Sequence, residues 1–226
     1  MSLSRLVALV VSAVSVVVLG VGCSGLLPTP PEARPASFVL APDLPPGLPS
    51  SRVSASGPTL LVSRPEPSAG YGTQRMAYLE QDYRLDYFAD HQWVDPPAAM
   101  LEPLLVQALA AHPAFGAVSA DGRGIRASLR LDTVIEALYQ DFRPRPSRGR
   151  VALRVRLVDL GSGRIIDTRL IEDSEPTPSD DAYGGVQAIN RALGRLLPEI
   201  ADFAGRAASR SRSGGAREPD SQDEDH

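Results

Sequence analysis

The sequence predicts an α+β domain in two layers, an antiparallel β-sheet with two main helices packed on one face. Three observations point there. Stretches between Ile125 and Glu172 alternate apolar and polar residues, the period of a half-buried strand. Two others, Met100 to Leu109 and Val186 to Phe203, repeat apolar residues at helical spacing. The chain of 226 residues holds one cysteine, so an ordinary apolar core, not a disulfide framework, must hold the fold. That length suits one domain.

The N-terminus is a leader, not core. Met1 to Arg5 is short and positive, and Leu6 to Gly20 is an apolar run of about 15 residues, the pattern of a secretory signal. A membrane-spanning helix needs about 20. Gly20 and Gly22 precede Cys23, and an apolar run ending in small residues before a cysteine resembles a bacterial lipoprotein signal. That resemblance implies removal of residues 1–22 and attachment of a diacylglycerol to the Cys23 thiol. Each buried CH₂ adds about 0.8 kcal/mol of membrane affinity, and stable anchoring needs more than one acyl chain. Lipoproteins of this kind carry three, palmitate among them. Ser24, where retained lipoproteins have Asp, implies sorting to the outer membrane, on its periplasmic face.

Residues 23–36 then read as a proline-rich linker, the first part of a stretch with eight prolines between Pro28 and Pro49. Polyproline II extends about 3.1 Å per residue, enough to hold a domain off the membrane. The folded domain is expected over 37–206, and 207–226, rich in Arg, Ser, Gly and acids, as a disordered tail.

Within the domain, "SFVLAP" (Ser37–Pro42) reads as a short edge strand and "PTLLVSR" (Pro58–Arg64) as another. "RMAYLE" and "YRLDYF" form a hairpin turning at Gln81-Asp82. Asp95 offers a helix cap with Pro96 in the first turn, and Pro103 predicts either a kink or a start near Glu102. Ile125, Ala127, Leu129, Leu131, Ile135, Ala137 and Tyr139 mark the dry face of a long strand. Val151, Leu153, Val155 and Leu157 repeat it, and Gly161-Ser162-Gly163 turns the chain into a third strand from Arg164 to Glu172. The three make an antiparallel meander. Ser179 or Asp180 caps a last helix with a stripe at Val186, Ile189, Leu193, Leu196, Leu197, Ile200 and Phe203.

Catalytic and metal-binding patterns are scarce. The histidines are His91, His112 and His226, in no ligand spacing, and no nucleophile elbow, phosphate loop or dinucleotide fingerprint occurs. The expectation is a protein that is not an enzyme and needs no cofactor or metal. Net charge is −4, mildly acidic, which gives no global surface for nucleic acid, and the use of Arg for all 23 basic residues is a base-composition bias that carries no functional meaning. One region is chemically distinctive. Tyr71, Tyr78, Tyr83, Tyr87, Phe88 and Trp93 place six of the twelve aromatics within 23 residues. The cluster reads either as the hairpin's core face or as a surface for a partner or a lipid, since interfaces favour Tyr and Trp; Tyr78 and Trp93 are assigned to packing, and Tyr83 and Tyr87 are the better candidates for contact.

The stretch "MAYLEQDYRLDYFADHQWVDPPAAMLEPLLVQAL" resembles the signature of ABC-type transport auxiliary lipoproteins: a tyrosine-bearing hairpin, a tryptophan, then prolines and a leucine-rich helix. "SFVLAP" before it and "ASLRLDTVIEALYQDF", "VALRVRLVDLGSGRIIDTRLIE" and an amphipathic helix after it follow the family's order. The resemblance implies a non-catalytic accessory component of a transport system built on mammalian-cell-entry (MCE) domains, which moves phospholipids or other hydrophobic molecules. The implied partner is an MCE-domain protein, with the membrane met through the anchor and homo-oligomers open. A periplasmic carrier holding a lipid between helices and sheet is the alternative. A large apolar interior pocket would favour the carrier, a packed interior with an exposed aromatic edge the docking role.

Overall fold

The computed structural model describes residues 34–44, 57–122 and 126–215, with side chains through 212. Cys23, the residues expected to form the leader, most of those expected to form the linker, Ile125 and residues 216–226 lie outside the described residues. Contacts divide the chain at Arg34/Pro35, and the unit from Pro35 onward carries every element described.

Its spine is the predicted meander. Strands β7 (Leu129–Asp141), β8 (Arg148–Asp159) and β9 (Ile165–Pro176) pair antiparallel in order. The rest of the sheet corrects an all-antiparallel expectation: it is mixed. Along the other side of β7, three short strands lie parallel to it end to end: β2 (Thr59–Val62), β3 (Glu66–Pro67) and β4 (Arg75–Gln81). Strand β6 (Ala117–Ser119) runs parallel to β2, β5 (Arg84–Trp93) antiparallel to β4, and β1 (Ala36–Phe38) parallel to β5. A 2.0-residue period marks a strand but not its neighbour or direction, so only the hairpin-linked pairs were deducible.

Helix α1 (Pro97–Ala110) connects β5 to β6 and buries Leu101, Leu105 and Leu109. It starts one residue later than Asp95-Pro96 suggested, with Pro96 in the cap position and no side-chain cap, and it runs through Pro103. Helix α2 (Ala182–Gly215) is capped by Asp181, not Ser179 or Asp180: Asp181 Oδ1 accepts the Gly184 N–H at 2.7 Å. Asp180 instead accepts the Ser147 N–H at 2.9 Å. Every member of the predicted α2 stripe is buried. Burying each Val, Leu, Ile or Phe side chain is worth about 1.5–3 kcal/mol, enough to hold a long helix with little intrinsic advantage on the sheet.

Both helices share one core with the dry face of the sheet, including Leu131, Ile135, Leu153, Leu157, Leu101 and Leu193. Gly149 lets α2 approach: a Cβ there would lie 2.7 Å from the Ile189 backbone nitrogen. A bulge at Glu136 reverses the predicted facing of the second half of β7. Leu138 and Gln140 therefore point into the core, and Ala137 and Tyr139 face outward. Helix α2 also extends into the span expected to be a tail. Ala207 and Ala208 are fully buried, because small side chains let the last turns lie close against the domain. Among the described residues no helix is long and apolar enough to cross a membrane.

Candidate functional site: the β4–β5 hairpin

Strands β4 and β5 turn through Asp82-Tyr83, one residue later than the sequence suggested, and this puts Tyr83 at the apex. Two-residue hairpin turns need left-handed backbone, which Gly, Asn or Asp supply most easily. Tyr83 adopts φ +65° there, the only positive φ at a non-glycine among the described residues. Its side chain is wholly exposed, at 105%. A bulky residue is thus held in an unfavourable conformation with no packing in return.

The apex is braced from below. Arg143, on the β7–β8 connection, donates to Asp82 and grips Asp141 with Nε to Oδ1 at 2.8 Å and Nη2 to Oδ2 at 2.7 Å. The Phe142 N–H donates to the Leu79 carbonyl at 2.8 Å. Arg143 holds the Asp141 carboxyl well below the usual range, and the two carboxylates in turn raise the guanidinium's pKa. Such two-pronged Arg–carboxylate bonds fix direction as well as position.

The other aromatics separate by role. Trp93 is 2% exposed and belongs to the core, as assigned from the sequence. Tyr78 packs between Phe88 (centroids 4.8 Å apart) and Phe142 (5.8 Å). Phe88 continues to His91, and His91 stacks on Phe38 at 5.8 Å, so aromatic rings run from the hairpin to the β1 edge. Tyr87 is half-buried on the opposite face: its hydroxyl donates to the Gly70 carbonyl at 3.1 Å, and the Arg75 guanidinium covers the ring at 3.8 Å. Tyr71 lies close by, and burial followed by the neighbouring Tyr139 and Tyr87 pushes its phenol up to about 12. Of the two tyrosines assigned to contact, Tyr83 presents a free ring, whereas Tyr87 presents an edge.

An open groove of about 740 Å³ lies at the foot of the apex, lined by Glu80, Gln81, Asp82, Arg143, Arg148 and Arg150 among others. In the sequence these arginines stand in "RPRPSRGR", which has no period that separates a site from a solvated turn. Far from the hairpin, Leu44, Ala108, Ala111, Pro113, Pro198 and Ala201 line an apolar slot of about 240 Å³ between α1 and α2. Among the described residues no group of three or more His, Cys, Asp or Glu could hold a metal ion.

A family model described as "ABC-type transport auxiliary lipoprotein component" matches residues 39–201, which include all of α1, the first turns of α2 and the whole hairpin. Among solved structures, a Xanthomonas campestris protein of the DUF330 family superposes with a TM-score of 0.68 at 17% identity, covering 79% of this chain and 99% of that one. An uncharacterized protein superposes with a TM-score of 0.60 at 13% identity, covering 75% of this chain and 98% of its own. At such identities the likeness is one of fold. No curated protein matches the chain.

Proposed function

This chain belongs to the family of ABC-type transport auxiliary lipoprotein components, and from that premise we propose that it docks an MCE-domain partner at the outer membrane. It does so without catalysis of its own, in a system that moves phospholipids or other hydrophobic molecules. Cys23 carries the lipid anchor, residues 23–36 act as the tether, and the domain stands on the periplasmic face. The hairpin apex is the contact.

The observation that carries this reading is Tyr83: fully exposed and left-handed, in a turn whose other residue, Asp82, is held by Arg143. Strained backbone persists where the surrounding structure enforces it, and such positions cluster at functional sites. Tyrosine is among the side chains found at interface hot spots, and a turn held in place removes part of the ordering cost of binding. The carrier alternative has less support. The apolar slot between the helices, about 240 Å³, falls below the roughly 300–1,000 Å³ of typical small-molecule pockets, and the groove of about 720 Å³ between β1 and α2 is lined by Asp43, Gln187, Asn190, Arg191 and Arg195 as well as apolar residues.

Two measurements test the proposal. Cys23→Ser should abolish palmitate incorporation and release the protein from the membrane, and equal labelling of mutant and wild type would remove the anchor. Tyr83→Ser should weaken binding of the detergent-solubilised chain to the purified MCE-domain subunit by about tenfold or more. Unchanged affinity would remove the apex from the interface.

A further inference from the structure

The face of the sheet turned away from the helices carries a ladder of charges along β7 and β8, and most of it is internally paired. Arg130 meets Asp132 at 2.8 Å, Arg156 meets Asp132 at 3.2 Å, and Arg154 meets Glu136 at 2.7 Å. Ser63 and Ser68 add hydrogen bonds to the same two carboxylates. This surface has its partners already.

Two arginines at the hairpin end of β8 depart from that rule. Arg148 spends two donors on the hydroxyl and carbonyl oxygens of Ser174 and forms no ion pair with a carboxylate of the described residues. Arg150, on the same face two residues on, pairs only loosely: Glu172 lies at 3.9 Å, beyond hydrogen-bond distance, and Asp141 feels its charge without a hydrogen bond between them. A guanidinium has five N–H donors, so both retain directed capacity for an anion. They border the groove below Tyr83, where Asp141 and Asp82 are already engaged by Arg143.

We infer that Arg148 and Arg150 form a carboxylate clamp for an acidic segment of the docked protein, which lies in this groove while its neighbouring side chains pack against Tyr83. The occupant is an acidic protein segment because the groove that holds both arginines reaches Asp82 in the turn that carries the exposed Tyr83, and one chain bearing a carboxylate near an apolar residue satisfies both. Ser174 fixes Arg148, so its free edge is presented with little further loss of rotamer freedom. The inference rests on the docking reading above, but it adds the chemistry of the partner.

The test uses the full chain in detergent. With the purified MCE-domain subunit, the double variant Arg148→Gln/Arg150→Gln should bind about tenfold or more weakly. Its affinity should also depend less steeply on salt, because screened charge pairs have been removed. Arg154→Gln, on the same face but away from the groove, should bind as wild type. Loss with Tyr83→Ser but none with the double variant overturns the clamp and leaves the docking proposal standing. If the subunit fails to bind wild type, docking on it falls, and the clamp is read by the second arm. There, hexaglutamate is titrated onto the chain while the Nε–Hε NMR signals of Arg148 and Arg150 are followed. Saturable shifts, absent with hexaglutamine, support the clamp. No shift overturns it.

Discussion

Replacing Tyr83 by glycine should stabilise the fold while abolishing docking, a combination that separates a side chain kept for contact from one kept for folding. A residue bearing a Cβ gives up about 1–2 kcal/mol in left-handed backbone. Glycine relieves that at φ +65° but returns about 0.5–1 kcal/mol through the greater freedom of the unfolded chain. The ring, 105% exposed, has no burial to lose. The net expectation is therefore a gain of between zero and about 1.5 kcal/mol, or up to about 5 °C in Tm for a domain of this size. Urea unfolding of the full chain in detergent reads it directly, since Trp93 is the only tryptophan and lies in the core. Trp93→Ala, followed by circular dichroism, sets the opposite scale, a loss of about 3–5 kcal/mol. If Tyr83→Gly loses 1 kcal/mol or more, the apex ring serves the fold and the argument from strain fails. If it gains stability and still docks as wild type, the strain has another cause.

Other expectations follow from packing and charge. Gly149→Ala should cost about 1–3 kcal/mol, because the new Cβ meets the α2 backbone at Ile189 and neither element can yield alone; a neutral result in thermal unfolding contradicts the close approach. Asp141, whose carboxyl Arg143 holds low, contributes stability that is present above the ordinary carboxylate range and is lost as pH falls through its depressed value. Arg143→Gln should therefore shrink the loss of stability on acidification below about pH 4, and an unchanged acid limb counts against the brace. Truncation after Arg206 should lower stability by about 1–2 kcal/mol through loss of the buried Ala207 and Ala208, where a tail without contacts would leave the melting curve unmoved.

Much of the fold was legible from periodicity. The meander and the α2 stripe follow from alternation and helical spacing, because each buries one face against a single core. Parallel pairing of β2, β3 and β4 along β7 was not, since those contacts join residues some 60 to 70 positions apart and leave no local pattern. The Glu136 bulge was invisible for a related reason: one extra residue changes which face Tyr139 takes without altering composition. At the site, density of aromatics drew attention to the hairpin, and Tyr83 and Tyr87 were singled out together. Only folding separates them. A one-residue shift of the turn places Tyr83 at the apex, and the loop through Gly70 covers Tyr87. Arg143, Arg148 and Arg150 gain meaning only from the carboxylates that folding brings near them, or fails to bring.

Docking through the apex is tested most directly by placing a photo-crosslinking amino acid at position 83 in intact envelopes. With the lipid anchor in place, irradiation should give one discrete adduct containing the MCE-domain subunit. The same probe at position 154, on the charge-paired face, should give none. An adduct of equal yield from position 154, or none from position 83 in a strain where the subunit is present, would contradict the account.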